Sequence, residues 1–387
     1  MKLATRVGHF SESVIREMTR LAAKHGAINL GQGMPDFETP QEIKDAACKA
    51  IQDGYNQYAI TWGAPALRQA IANKAQQFNG IACDPDLNVT VCCGATECMM
   101  ATMLALVDPG DEVIIFQPFY ENYGPDAVIS GAKPVWVPLR PPHWTFDPDE
   151  LRRAFSNRTR AIIINTPNNP TGHVYTLSEL TLIAELCQQY DAYALADEIY
   201  EYIIHNQAPH ISIATLPGMA ERTVTISGLS KTFSVTGWRL GYCLAPAEVS
   251  NGIRKAHDFL TVGAPHPLQM AGVAALNLPA SYYEKLQRDY TRRREIFLPY
   301  LREAGLTVYA PEGAYYVMTD TSPLGWHDDT AFVKTMIEKI GVSAVPGSSF
   351  FSPKTLGQSM VRFMFAKKDE TLHAAGERLK GLKTLAR

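Results

Sequence analysis

The sequence predicts an α/β fold built on a mainly parallel sheet, and three observations lead there. Short apolar runs at 88–92, 112–116, 161–165, 192–196 and 223–227 are unbroken by polar alternation, as strands covered on both faces require. Longer amphipathic segments separate them. At 387 residues the chain exceeds one small core and fits two domains, or one large domain with a satellite.

Taken in order, the run at 88–92 turns at Gly94 into a helix predicted over 95–107, which Asp108, Pro109 and Gly110 stop. The run at 112–116 ends before Pro118. The run at 161–165 leads into a turn-rich octet, Asn165–Gly172, and a second helix is predicted over 177–190. The runs at 192–196 and 223–227 end beside Asp197 and Ser227. From about residue 280 the pattern changes to a long charged amphipathic helix, followed by short strands and helices. There are no repeats and no low-complexity segments.

Hydrophobic residues make up 46% and charged residues 19% of the chain, an ordinary globular balance. A net charge of −3 gives no electrostatic reason to expect nucleic acid. Seven cysteines, an odd number without a CysXXCys pair, suit free thiols in a reducing cytoplasm. For zinc, Cys92, Cys93 and Cys98 would need further Cys or His partners at ligand spacing. The nearest histidines, His25 and His143, are distant in sequence, so no metal is expected. The start, Met1–Val7, lacks an apolar signal core, and no apolar run approaches the roughly 20 residues that span a bilayer. A soluble, unprocessed, cytoplasmic protein without membrane partners is expected.

Candidate chemistry gathers at the strand ends, where α/β folds collect reactive groups. Lys231 lies in Ser227–Tyr242, reading SGLSKTFSVTGWRLGY, just past the run at 223–227. An amine desolvated there can lose its proton and form a Schiff base, while hydroxyls and Arg239 suit a phosphate. A solvated loop lysine beside a surface arginine is the plain alternative. Gly94, Ala95 and Thr96 open a helix. Glycine permits close backbone approach, and the amides and dipole make an anion site, although ordinary strand–helix turns look the same. Tyr120, with Phe119 and Tyr123 as neighbours, could pack on a flat heteroaromatic ring or belong to the core. Asn169 could donate to a phenolate from what also reads as a surface turn. Asp197, if buried, needs a cation such as a protonated pyridine nitrogen; if exposed it needs none. Arg362, a lone charge among apolar residues 359–366, either snorkels or binds a carboxylate through two parallel hydrogen bonds.

Together these segments resemble class I/II aminotransferases of fold type I, which depend on pyridoxal 5'-phosphate. Ser227–Tyr242 is similar to the family's cofactor-lysine segment with its GlyTrpArg triplet, and Asn165–Gly172 to its AsnProXAsnProThrGly signature. The resemblance implies that Lys231 holds the cofactor covalently and serves as general acid and base. It implies that Arg239, Ala95 and Thr96 hold the phosphate, that Tyr120 stacks on the ring, and that Asn169 and Tyr200 contact its phenolic oxygen. Asp197 would pair with the ring nitrogen and so keep the ring an electron sink. Arg362 would take the substrate carboxylate, with Gly33 and Asn169 beside it. Tyr58 matches a tyrosine that reaches the phosphate of a neighbouring subunit, which implies a homodimer with shared active sites.

By the same resemblance, residues 46–280 form a large cofactor-binding domain, and 1–45 with 281–387 a smaller α+β domain. The Gly31–Phe37 and Arg362–Leu372 segments look most like the kynurenine, glutamine and methionine aminotransferase branch. That implies transamination between a methionine, glutamine, aromatic or kynurenine-like amino acid and a 2-oxo acid. Residues 262–268 depart from the aromatic-rich stretch of eukaryotic kynurenine enzymes. Aspartate transamination and β-elimination from cysteine conjugates are the alternatives on this scaffold. A cofactor-sensing regulator would need an added DNA-binding domain, for which the chain has neither length nor basic face.

Overall fold

The central runs are apolar throughout because both of their faces carry helices. Along Glu112–Gln117, Ile114 and Phe116 pack with Leu180 and Ile183 of the helix Leu177–Tyr190. Val113 and Ile115, pointing the other way, pack with Met99 and Met103 of the helix Ala95–Leu106. The structure, a computed structural model, describes residues 13–205 and 209–386 together with Ala4 and Gly8. Most of residues 1–12, the start of the expected smaller domain, therefore lies outside the described residues.

Near the start of the chain, β1 (Ile28–Asn29) is a two-residue strand. The large sheet then follows with β2 (Val89–Cys92), β3 (Glu112–Gln117), β4 (Lys133–Arg140), β5 (Thr145–Phe146), β6 (Thr159–Asn165), β7 (Tyr193–Asp197), β8 (Thr223–Gly228) and β9 (Gly241–Leu244). Its order is β2-β9-β8-β7-β6-β3-β4-β5. From β8 through β4 every neighbouring pair is parallel, while β9 is antiparallel to both β2 and β8, and β5 to β4. The mainly parallel α/β sheet expected from the sequence is thus present.

Each predicted run falls on a strand of this sheet, with ends shifted by at most two residues, and the helix predicted over 177–190 occupies Leu177–Tyr190. Sequence reasoning missed β4 and β9, and with them the two-residue β5. The first carries Pro134 and Pro138 and only half-buried side chains near its start, features that argue against a strand inside a sheet. The second, four residues long, was read as the tail of the Lys231 segment.

A second, antiparallel sheet collects β10 (Thr307–Tyr309), β11 (Tyr316–Asp320), β13 (Val345–Pro346) and β14 (Met360–Met364) in the order β10-β11-β14-β13. Between β11 and β13, β12 (Val342–Ser343) instead pairs in parallel with β1, joining the start of the chain to its C-terminal part. The long amphipathic helix expected from residue 280 is Ala280–Glu303, and it buries Leu286, Tyr290, Phe297 and Leu301 in the same cluster as Val317 and Phe363 of this sheet.

Candidate active site

A cavity of about 530 Å³ opens where β2, β3, β6, β7 and β8 end, the usual ligand position of an open α/β sheet. Its walls hold Gly33, Ala95, Thr96, Tyr120, Asn169, Asp197, Tyr200, Lys231, Arg239 and Arg362. Every predicted site residue but one is therefore gathered here from seven separate chain segments. Tyr58 stands apart, 85% exposed and away from the cleft of its own chain.

Asp197 ends β7 with its carboxylate buried. Its Oδ2 accepts a 2.7 Å hydrogen bond from the Tyr123 hydroxyl and its Oδ1 one of 3.2 Å from the Ile199 amide. Burial pushes the carboxyl up to about 6, against these two bonds and the charge of Lys231, which favour the anion. Tyr123 was expected only as a neighbour of Tyr120; here it positions the acid. The two rings do meet edge to face at 5.7 Å. Burial pushes the Tyr120 phenol up to about 12, so it stays neutral.

The octet after β6 is an interior structure rather than a surface turn. Asn165 accepts from the Asn169 amide at 2.7 Å and donates to the Asp197 carbonyl at 2.9 Å, so one side chain locks two site segments together. Asn169 in turn accepts a 2.8 Å bond from Arg362 Nη1. Arg362, 1% exposed, also donates from Nη2 to the Gly31 carbonyl at 2.7 Å and lies over Tyr316 and Phe350, 4.2 and 4.8 Å from their ring centres. Its Nε has no partner, and none of these contacts is a carboxylate. Snorkelling is excluded by that burial. A buried guanidinium satisfied only by neutral groups is prepared for an anionic ligand.

Two tyrosines missed by sequence reasoning complete this wall. Tyr316 shares a 3.1 Å hydrogen bond with Tyr200, and the Tyr315 hydroxyl donates to the Gly33 carbonyl at 3.2 Å. Burial drives the Tyr316 phenol upward, but the charges of Lys231 and Arg362, with hydrogen bonds from Tyr200 and Tyr315, hold it below the usual phenol value. Lys231 Nζ lies 5.8 Å from the Tyr200 ring and 6.0 Å from that of Tyr315. A Cβ on Gly33 would collide with the Tyr316 hydroxyl, so the loop's approach depends on glycine. No local pattern marks Tyr315 and Tyr316, since their role depends on what faces β11.

The opposite end is an anion cradle. Gly94 has φ +86°, and a Cβ there would stand 2.5 Å from Arg239 Nη2. Arg239 itself has φ +54°, a strained conformation for a side-chain-bearing residue that brings its guanidinium over the start of the helix Ala95–Leu106. Helix amides, dipole and arginine thus converge beside Lys231. With the buried acid of Asp197 also lining the cavity, these residues fit a cofactor bearing a phosphate and a basic ring nitrogen.

Asp126 lines the same cavity with Oδ2 unpartnered, and burial pushes its carboxyl up to about 8. An unfolded chain releases that proton near pH 4, so the associated stability is full below about pH 4 and lost as pH rises towards about 8. Asp126→Asn is expected to raise Tm over wild type by a margin that grows across this window. A margin independent of pH, measured by calorimetry, would refute the assignment.

The family model for aminotransferase class I and II matches residues 25–379. The chain belongs to that family. Members of this family use pyridoxal phosphate. It is 40% identical over 97% of both chains to a probable N-succinyldiaminopimelate aminotransferase of Mycobacterium tuberculosis, whose solved structure superposes with a TM-score of 0.96, covering 98% of this chain and 100% of that one. It is 37% identical, over 98% of both chains, to methionine aminotransferase of Escherichia coli. A third relative is kynurenine–oxoglutarate transaminase 3 of Mus musculus, at 38% over 97% of this chain and 89% of that protein. Fold type I is shared with aspartate aminotransferase of Thermus thermophilus, at TM-score 0.92 and 33% identity over 99% of this chain and all of that one. Among the described residues, no helix is long and apolar enough to cross a membrane.

Proposed function

We propose that this aminotransferase holds pyridoxal 5'-phosphate on Lys231 and transfers the amino group of a neutral or aromatic L-amino acid, of the methionine, glutamine or kynurenine kind, to a 2-oxo acid. The observation that carries the reading is Arg362, buried, aromatic-stacked and without a carboxylate partner. Its guanidinium binds the α-carboxylate, which orients Cα towards Lys231. The Lys231 amine would be the group that accepts and hands back the Cα proton. Bound there, pyridoxal 5'-phosphate supplies the electron sink for the charge left at Cα. Asp197, held by Tyr123, would pair with its ring nitrogen. Tyr200, Asn169 and Tyr120 would hold its ring, and Ala95, Thr96 and Arg239 would hold its phosphate.

Substrate preference follows from the cavity's outer wall, where Ile15 and Met34 offer apolar contact. A second reading has its own support. Arg16 also lines this wall, and among the described residues its guanidinium has no partner, so a donor with a distal carboxylate could be read there. A homodimer belongs to the same proposal. Tyr58, Ile60, Phe259, Leu260 and Val262 are exposed apolar residues, Phe259 at 91%, on two segments joined by a 3.0 Å contact of His266 Nδ1 with the Gln57 carbonyl. The free cysteines suit a cytoplasmic setting.

The test is a half-reaction screen of the twenty amino acids, following conversion of bound cofactor to pyridoxamine phosphate, on protein whose mass is measured in solution. Fast conversion by methionine, glutamine or aromatic donors and a dimer mass are expected. Conversion by acidic donors alone would favour the Arg16 reading, and release of pyruvate and ammonia without need of an oxo acid would replace transamination by β-elimination. A monomer with full activity would remove Tyr58 from the site.

A further inference from the structure

Cys92, Cys98 and Cys243 are far apart in sequence, yet their sulfurs lie within 4.8 Å of one another. The antiparallel register sets Cys243 opposite Thr90 and Cys92 opposite Gly241, so the two cysteines are diagonal neighbours on one face of β2 and β9. Cys98 comes down onto them from the helix Ala95–Leu106. We infer that these three cysteines form a thiolate site for a soft, closed-shell metal ion, with zinc as the cation of reference.

Geometry supports this. Three Zn–S bonds of about 2.3 Å in tetrahedral arrangement place sulfurs about 3.8 Å apart, so the cluster closes on an ion with adjustments of about 1 Å or less. The three residues are 0%, 0% and 1% exposed, and only Cys243 has a hydrogen bond to an acceptor outside the group, a 3.8 Å contact with the Thr90 carbonyl. The ligands are therefore turned on each other in a dry site. Glu97 and His257, themselves 2.6 Å apart, have donor atoms within 4.8 Å of Cys92, which brings oxygen and nitrogen to the edge of the cluster.

Charge supports it as well. Zinc with three thiolates carries one net negative charge. Next to β2, Arg254 donates to the Thr90 hydroxyl and the Asp86 and Val89 carbonyls, none of them a carboxylate, so an arginine is in place to offset that charge. Binding would release three thiol protons to water, and such a sealed site loads as the chain folds.

The position has a consequence for the cradle. Cys92 lies two residues before Gly94, Cys98 two after Thr96, and Cys243 two after Gly241, where an added Cβ would strike the Gly94–Ala95 backbone. One ion would tie together the three segments that shape the anion cradle. Sequence spacing suggested no metal because Cys243 and His257 enter only through the fold.

The experiment uses holoenzyme purified from zinc-supplemented cultures and dialysed against EDTA, with metal measured by mass spectrometry. About one zinc per chain is expected, with a higher Tm than zinc-starved protein. Cys98→Ala and Cys243→Ala should each lower the retained zinc at least about tenfold, while Cys48→Ser, at an exposed position, should keep it. Should both variants fail to fold, wild type decides. Refolded with cadmium, it should show the ultraviolet charge-transfer absorption of three thiolates. Absence of that band, less than about a tenth of a zinc per chain, or full zinc retention by either alanine variant overturns the site and leaves three cysteines as ordinary core filling.

Discussion

Lys231→Ala is expected to lower kcat by roughly 10⁴-fold, because it removes both the covalent anchor and the proton carrier in one change. The loss should be chemical rather than structural. Lys231 is only partly buried and stands at the cavity wall, 5.8 Å from the Tyr200 ring, so its truncation opens no gap in the core. Its positive charge favours the Asp197 anion and holds the Tyr316 phenol down, so both groups should titrate at higher pH in the variant. The decisive measurement is borohydride reduction followed by denaturation and mass analysis. Wild type should retain the cofactor mass on the peptide containing Lys231, and the variant on none. A variant that still carries reducible, chain-bound cofactor would falsify the assignment.

Arg362→Ala is expected to raise KM for amino acids and oxo acids alike, lowering kcat/KM by at least about 100-fold, or roughly 3 kcal/mol. The carboxylate would lose a bidentate, charge-assisted partner whose guanidinium is buried. Asn169 and the Gly31 carbonyl would each lose a donor as well, so part of the effect should reach kcat through Asn169. Arg362→Lys keeps the charge without the planar fork and should recover only a minor share. Amine substrates lacking the α-carboxylate should show only the smaller loss that passes through Asn169. Unchanged KM for carboxylate substrates would take Arg362 out of the binding site.

The legible part of this protein was its strand-end chemistry. Ten of the eleven residues named from sequence line one cavity; eight of them end or follow strands of the large sheet, whose parallel strands deliver them to a common edge, while Arg362 comes from β14 and Gly33 from the loop after β1. Tyr58 is the exception, 85% exposed and outside the cleft of its own chain. Illegible were the groups whose role depends on an unseen neighbour. Tyr123 looked like a spare aromatic until it proved to hold Asp197, and Asn165 like a turn residue until it was seen bridging Asn169 and Asp197. The strand β4 was lost for a different reason. Its prolines argue against a strand locally, yet its full parallel register with β3 satisfies it in place.

The sequence by itself determined the α/β class, the strand ends and the chemical identity of the groups that line the cavity. Those features rest on apolar runs, turn residues and lone charges read over short stretches of chain. Only the tertiary structure decided which of those groups touch: Tyr123 with Asp197, Asn169 with Arg362, Tyr200 with Tyr316, and Cys92 with Cys98 and Cys243. Such contacts join residues far apart in the chain, and they follow from strand order and helix placement, which local periodicity does not encode.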